Sequence, residues 1–286
     1  MQDTKNAAAG QAGASALPPV AFIGGGNMAG AIIGGLVASG MPPSRIHVVE
    51  PMDAPRARLA QQGISVSAGA DEALQGSHTV VWAVKPQMFH GAAQPVAAHT
   101  ANALHLSVAA GIRSDSIARW LGTQRVVRCM PNTPALVGAG MTGLFAAPGA
   151  TSADRTHVEA LLASTGQCTW VTDEAQLDAV TALSGSGPAY VFYFLEAMVD
   201  AGVAMGLPAD QARELAVGTF SGAAELARRS PQEPLSLMRE RVTSKGGTTY
   251  AALTSMEQAG IKDAFIRAMR AAQARGKELG DEFGAA

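Results

Sequence analysis

The stretch Val20-Ala21-Phe22-Ile23-Gly24-Gly25-Gly26-Asn27-Met28-Ala29-Gly30 limits this chain more than any other part of it. A short β-type apolar run meets three glycines, and a small-residue helical pattern starts at once. Strand, tight turn and helix in immediate succession fit that order. Gly24-x-Gly26-x-x-Ala29 has the spacing of a dinucleotide-binding turn with alanine in its third place. Gly24, lacking a Cβ, can take positive φ and turn the chain sharply out of the strand. Gly26 lets the backbone approach a pyrophosphate, and Ala29 lets the helix lie close on the strand. The anion then meets free N–H groups at a helix N-terminus, where the helix dipole favours negative charge. A glycine-rich loop without a ligand is the plain alternative. A membrane helix with Gly26-xxx-Gly30-xxx-Gly34 on one face is another. Against the membrane helix, the triplet and Asn27 interrupt the apolar run and bulky apolar residues are sparse.

With 286 residues, 48% hydrophobic and only 15% charged, the chain has enough apolar material for two well-buried domains. A net charge of −2 gives no basic field for nucleic acid or an anionic membrane, and three Tyr and three Trp make no base-stacking platform. Cys129 and Cys168 form no CxxC pair and read as free thiols in a reducing cytoplasm, with a disulfide left open. The histidines show no metal-ligand spacing, so no metal is expected. Residues 1–18 are rich in Ala, Gly, Gln and Ser and lack a hydrophobic signal segment, which reads as a disordered tail on a cytoplasmic protein.

Along the chain, residues 46–49 form a second strand that ends in Glu50. A carboxylate there can bind the adenine ribose diol and would repel a 2′-phosphate, which favours NAD. Arg56 and Arg58 follow and could pair with such a phosphate, so NADP stays open. A solvated strand end is the simpler reading of Glu50. Residues 64–66 and 79–84 give further strands, the latter a near-continuous apolar run running into Lys85-Pro86-Gln87. Ligands of an open α/β sheet lie at the carboxyl ends of its strands, so Lys85 is a candidate contact near the nicotinamide. Strands at 104–108 and 125–130 follow, with edge strands at 141–145 and 168–171. The alternation predicts a doubly wound Rossmann-type α/β domain over 19–173. From 174 to 286 helical patterns take over, at 178–183, 189–205, 208–229, 233–241 and 262–278. The helix at 189–205 is apolar on more than one face, which predicts an all-α dimerisation domain.

The second informative stretch is Val242-Thr243-Ser244-Lys245-Gly246-Gly247-Thr248-Thr249-Tyr250. An ordinary helix cap needs one hydroxyl. Here the density of glycine and hydroxyl exceeds that need, at a helix N-terminus suited to a small carboxylate.

Together these stretches resemble pyrroline-5-carboxylate reductase, from about residue 20 to the C-terminal helix. The resemblance lies in Phe22-Ile23-Gly24-x-Gly26-Asn27-Met28-Ala29, Val84-Lys85-Pro86-Gln87, Met130-Pro131-Asn132-Thr133-Pro134 and Ala182-Leu183-Ser184-Gly185-Ser186-Gly187-Pro188-Ala189-Tyr190. The most specific part is Val242-Thr243-Ser244-x-Gly246-Gly247-Thr248-Thr249, where many relatives carry Pro at the position of Lys245. The resemblance implies hydride transfer from NADPH or NADH to Δ1-pyrroline-5-carboxylate, giving L-proline. It implies cofactor contacts at Gly24, Gly26, Asn27, Met28, Ala29, Glu50, Ala83, Val84, Lys85, Pro86 and Asn132. Ser244, Gly246, Gly247 and Thr248 would hold the substrate carboxylate, and Thr249, the candidate catalytic residue, the ring nitrogen. It further implies a homodimer, or a decamer of five dimers, whose site joins one subunit's nucleotide domain to its partner's helices. A β-hydroxyacid dehydrogenase has the same two-domain plan but carries a Lys on the first long helix of its second domain, and residues 190–206 contain none. A nucleotide sensor without chemistry is the non-enzymatic rival, disfavoured by Ser244 and Thr249.

Overall fold

A computed structural model describes residues 14–284. The chain divides into two compact units. The first runs to Ser186 and includes the chain again from Ala272, and the second is Gly187–Ala271.

The first unit is built on an eight-stranded sheet of order β3-β2-β1-β4-β5-β6-β7-β8. The strands are β1 (Val20–Ile23), β2 (Ile46–Val49), β3 (Ser65–Ser67), β4 (Thr79–Trp82), β5 (Leu104–Ser107), β6 (Val126–Met130), β7 (Gly140–Ala146) and β8 (Gly166–Trp170). All neighbours pair in parallel except β6 and β7. Residues 141–145, expected at an edge, lie in β7 between β6 and β8, so only β3 and β8 are edges.

Helices on both faces bury every residue of β1, β2, β4 and β5. The two-residue repeat of a strand sends alternate side chains to opposite layers. Phe22, Val48, Val81 and Leu106 pack with Ile32, Ile33 and Leu36 of α1 (Asn27–Ala38) and Val158 and Leu161 of α5 (Ser152–Leu162). Ala21, Ile23, Val80 and Trp82 face Phe89 and Val96 of α3 (Pro86–Ala97) and Ile117 and Leu121 of α4 (Ser114–Leu121). Between β2 and β3 lies α2 (Asp53–Gln61). The order reverses at β1, which sits between β2 and β4, and there an open α/β sheet leaves a crevice at its carboxyl end.

Residues 174–186 pack within the compact first unit. Helix α6 (Gln176–Val180) and a π-helical turn (Thr181–Gly185) replace the helix expected at 178–183. Val180 covers Gly143 of β7 so closely that a Cβ there would stand 2.5 Å from its Cγ1. Of the expected tail, residues 1–13 lie outside the described residues, but Ala14 and Leu17 are buried in the core. Arg45 also donates to the carbonyls of Ser15 and Leu17.

The second unit contains α7 (Gly187–Ala204), α8 (Ala209–Arg229), α9 (Leu235–Arg241), α10 (Thr248–Gln258) and the first part of α11 (Ile261–Gly284). Gly202 brings α7 close to α8, since a Cβ there would lie 2.9 Å from Ala212 Cβ. Tyr190 and Phe194 meet Phe265 edge to face. Phe192, Tyr193, Val203 and Met205 are left exposed. Among the described residues no helix is long and apolar enough to cross a membrane.

Candidate active site

The turn from β1 to α1 is the nucleotide-type feature of the first unit. Gly24 has φ +95°, and its N–H donates to the Val49 carbonyl at 2.8 Å. A Cβ on it would stand 2.7 Å from the Ala83 carbonyl oxygen and 3.2 Å from Val84 Cγ1, so this glycine, Ala83 and Val84 form one close-packed corner. Gly24 and Gly25 are buried, whereas Gly26 and Asn27 are exposed at the carboxyl end of the sheet. A Cβ on Gly26 would meet no atom within 4 Å. Helix α1 begins with no side-chain cap and no acidic residue in its first turn. Its first amides, which no intrahelical carbonyl can reach, are left for an anion. Ala29 is fully buried and Met28 half-buried. Open space beside Gly26, uncapped amides and a neutral first turn fit a dinucleotide pyrophosphate.

Lys85, exposed, is the N-cap of α3, and Pro86 occupies the first helical position, where its missing N–H removes no bond. Glu50 is not at a solvated strand end. It is 7% exposed, Oε2 accepts from Gly25 N–H at 2.8 Å, and Oε1 accepts from Met52 N–H at 2.9 Å. Arg56 donates to the Glu50 and Pro51 carbonyls and pairs with Asp53.

Asn132 stands at the end of β6, two strands beyond β4. Its Oδ1 accepts from Met141 N–H at 2.9 Å, and its Nδ2 donates to the Ser184 carbonyl and hydroxyl at 3.2 and 3.3 Å. The amide therefore ties the start of β7 to the π-helical turn. Gly185 in that turn lies against Met130, whose Cε would be 2.5 Å from an added Cβ.

A charged network, not anticipated from the sequence, borders the same pole. Glu174 accepts from Ser114 N–H and Oγ, both at 2.6 Å, and from Arg128 Nη1 at 2.7 Å. It thereby caps α4 from a distance and neutralises an arginine buried in β6. Burial raises the Asp178 carboxyl above its ordinary range, against the pull of Arg128, Arg113 and Lys277. The signal available in the sequence was Arg128 itself, a charge inside an apolar strand, which requires a buried partner.

Within the second unit, α9 leads into a turn closed by the Gly247 N–H on the Ser244 carbonyl at 2.9 Å. Gly246 has φ +74°, and Gly247 is the N-cap of α10, with no side-chain cap and no acidic residue in the first turn. Thr243 Oγ1 is used, donating to the Arg239 carbonyl at 2.7 Å. Among the described residues nothing bonds the hydroxyls of Ser244, Thr248 or Thr249. Ser244, Gly246 and Thr248 are exposed and Gly247 and Thr249 half-buried. Uncapped amides and unused hydroxyls converge here, a donor set suited to a small carboxylate.

Two family descriptions match the chain. Residues 174–279 match "pyrroline-5-carboxylate reductase dimerisation", and residues 19–111 match "NADP oxidoreductase coenzyme F420-dependent". A pyrroline-5-carboxylate reductase of Pseudomonas aeruginosa is 44% identical over 270 residues, covering 93% of this chain and 98% of that protein. One of Haemophilus influenzae is 42% identical over 91% of this chain and 97% of its own length. Among solved structures, a pyrroline-5-carboxylate reductase of Coxiella burnetii superposes with a TM-score of 0.85 at 35% identity, covering 92% of this chain and 98% of that one. A Plasmodium falciparum pyrroline carboxylate reductase with NADP bound gives 0.83 at 27% identity, with the same coverage. With the nucleotide turn and the hydroxyl-lined helix start both in place, the chain belongs to the pyrroline-5-carboxylate reductase family.

Proposed function

We propose that this chain reduces Δ1-pyrroline-5-carboxylate to L-proline, the last step of proline biosynthesis, with NADPH or NADH as reductant. The observation that carries the reading is the start of α10, where first-turn amides and three hydroxyls are left unused by the fold. A substrate with one carboxylate and one ring nitrogen matches that set. Ser244, Thr248 and the amides following Gly247 hold the carboxylate, with Gly246 shaping the turn, and the Thr249 hydroxyl holds the ring nitrogen. Gly24, Gly26, Asn27, Met28 and Ala29 hold the pyrophosphate, and Ala83, Val84, Lys85 and Pro86 border the nicotinamide end. When bound, the reduced nicotinamide supplies the hydride that the C5=N carbon accepts. No acidic side chain is needed beside the ring, because a pyrrolinium ion is already electrophilic. The protein's share is to orient the ring, an effect worth up to about 7–11 kcal/mol when alignment is good.

The chain acts as a homo-oligomer, and the exposed apolar residues of α7 suit its interface. We assign a dimer, with a ring of five dimers as the larger assembly, in the cytoplasm. The test is oxidation of NADH and of NADPH, in parallel, with Δ1-pyrroline-5-carboxylate, after sedimentation has fixed the assembly. Turnover with either cofactor supports the assignment. Tight cofactor binding without turnover moves the substrate to another imine or removes the chemistry.

A further inference from the structure

We infer that Glu50 is a positioning residue for the pyrophosphate turn and does not set the choice between NADH and NADPH. The inference rests on the dinucleotide reading of Gly24–Ala29. An acidic residue at the end of the second strand ordinarily takes the adenine ribose diol, which makes it a reader of the 2′ position. Here both carboxylate oxygens are engaged inside the protein, with the Gly25 and Met52 amides, and the residue is 7% exposed. Its backbone is fixed as well. The Glu50 N–H donates to the Ser67 carbonyl at 2.9 Å, and its carbonyl accepts from Arg56 Nη1 at 2.9 Å.

Gly25 explains why such a brace is useful. It lies between the two glycines of the turn and is buried, so its N–H needs an acceptor. A side chain at Gly25 would meet Leu59 Cδ1 at 2.9 Å and Glu50 Oε2 at 3.3 Å. The carboxylate thus fixes the plane of the Gly24–Gly25 peptide, one residue before Gly26, the residue open to the ligand. At 7% exposure the carboxylate gives a ribose diol little access unless it is drawn off the two amides that hold the turn. Glu50 therefore acts on the cofactor through the pyrophosphate turn, and NADH and NADPH share that pyrophosphate.

The test compares the wild-type protein with Glu50→Gln and Glu50→Ala, titrating each with NADH and with NADPH and following exchange of the Gly25 and Met52 amides. Charge-assisted bonds of this kind predict that Glu50→Ala weakens both cofactors by the same factor, about tenfold or more. The ratio of the two dissociation constants stays at its wild-type value, and kcat at saturating cofactor changes little. Glu50→Gln, which keeps one acceptor, recovers part of the affinity and restores protection at one of the two amides. A shift of the ratio toward NADPH by about tenfold would restore the diol-reading role and overturn the inference. Unchanged affinity for both cofactors would overturn it as well. If the wild-type protein binds neither cofactor, the dinucleotide reading itself falls, an outcome distinct from a changed ratio.

Discussion

At Gly24 a β-carbon would stand 2.7 Å from a backbone carbonyl oxygen, whereas at Gly26 it would meet nothing within 4 Å. An added side chain therefore has opposite consequences at two positions two residues apart. Gly24→Ala combines that clash with φ +95° and is expected to cost about 1–3 kcal/mol of stability, read as a lower urea midpoint. Gly26 has φ −73° and ψ −169°, a conformation any residue adopts, so Gly26→Val is expected to fold with an unchanged midpoint. It should nevertheless lose cofactor binding, because its side chain fills the space beside the α1 amides. Normal cofactor titration of folded Gly26→Val would remove the pyrophosphate from this turn. Thr249→Val keeps the shape of a residue whose hydroxyl the fold does not use. It is expected to lower kcat roughly 10–100-fold with cofactor affinity unchanged, and undiminished turnover would take Thr249 out of the mechanism. Both glycines and the hydroxyls were legible in the sequence, because spacing alone places them. The bonds of Glu50 and Asn132 were not, since a partner on another strand end leaves no mark in local pattern. Ser184 had a signal in its Ser-Gly-Ser-Gly-Pro run, but its bond to Asn132 follows only from the packing of the π-helical turn on β7.

Helix α11 runs to Gly284, six residues past the end its charge pattern suggests. Its last turns carry Gly276, Gly280 and Gly284 at four-residue spacing, on one face. Glycine normally weakens a helix, so this run reads in isolation as a termination. In the first unit Gly280 and Gly284 are what let the helix lie close. A Cβ on Gly280 would be 2.9 Å from the Gly111 carbonyl oxygen and one on Gly284 would be 3.3 Å from Ser116 Oγ. Arg113 pairs with Asp281 beside them. Gly280→Val is expected to cost about 1–3 kcal/mol and to raise amide exchange over 276–284, because the opposing atom is backbone and cannot move aside. Gly276→Ala, whose Cβ would find only Asp178 at 3.9 Å, is the control and should leave exchange unchanged. Equal exchange in both variants would show that the close approach at Gly280 is not what holds this end. The strands were legible from their apolar runs within a residue or two. The interior position of β7 was not, because whether a strand has one neighbour or two depends on β8, its parallel partner across a crossover. The compact first unit takes in α6 and the end of α11, which have helical sequence but pack on β7 and on Gly111 and α4 respectively.

Across the whole molecule, tolerance of acid depends on histidines near the amino ends of the strands, the pole opposite the ligand turn. His105 on β5 is 1% exposed, and its Nδ1 accepts from Trp82 Nε1 at 3.0 Å. Burial drives its pKa down from 6.5 to about 4, with Arg125 adding to the fall and the Thr100 backbone opposing it. His157 on α5, 2.8 Å from Thr79 Oγ1 and edge-on to His78, falls to about 4, chiefly through burial, then through His78. In the unfolded chain both groups take up protons near 6.5, whereas the folded chain resists them until about 4. Their contribution to stability is therefore complete above 6.5 and is lost as the pH falls from there toward about 4. For His105 alone that fall corresponds to about 3 kcal/mol, a large share of the roughly 5–15 kcal/mol that holds a typical domain. Asp154 behaves differently. Burial alone would raise its carboxyl, but the Arg125 guanidinium at 2.6 Å and the Thr151 bonds hold it at about 2. Its stabilisation is present above the ordinary carboxylate range and is lost only as the pH falls toward 2, well after the histidines have charged. Urea unfolding across this range should show stability falling below pH 6.5, with the slope flattened in His105→Gln, which has no proton to take up. An equal slope in both proteins would place the acid sensitivity in groups other than His105.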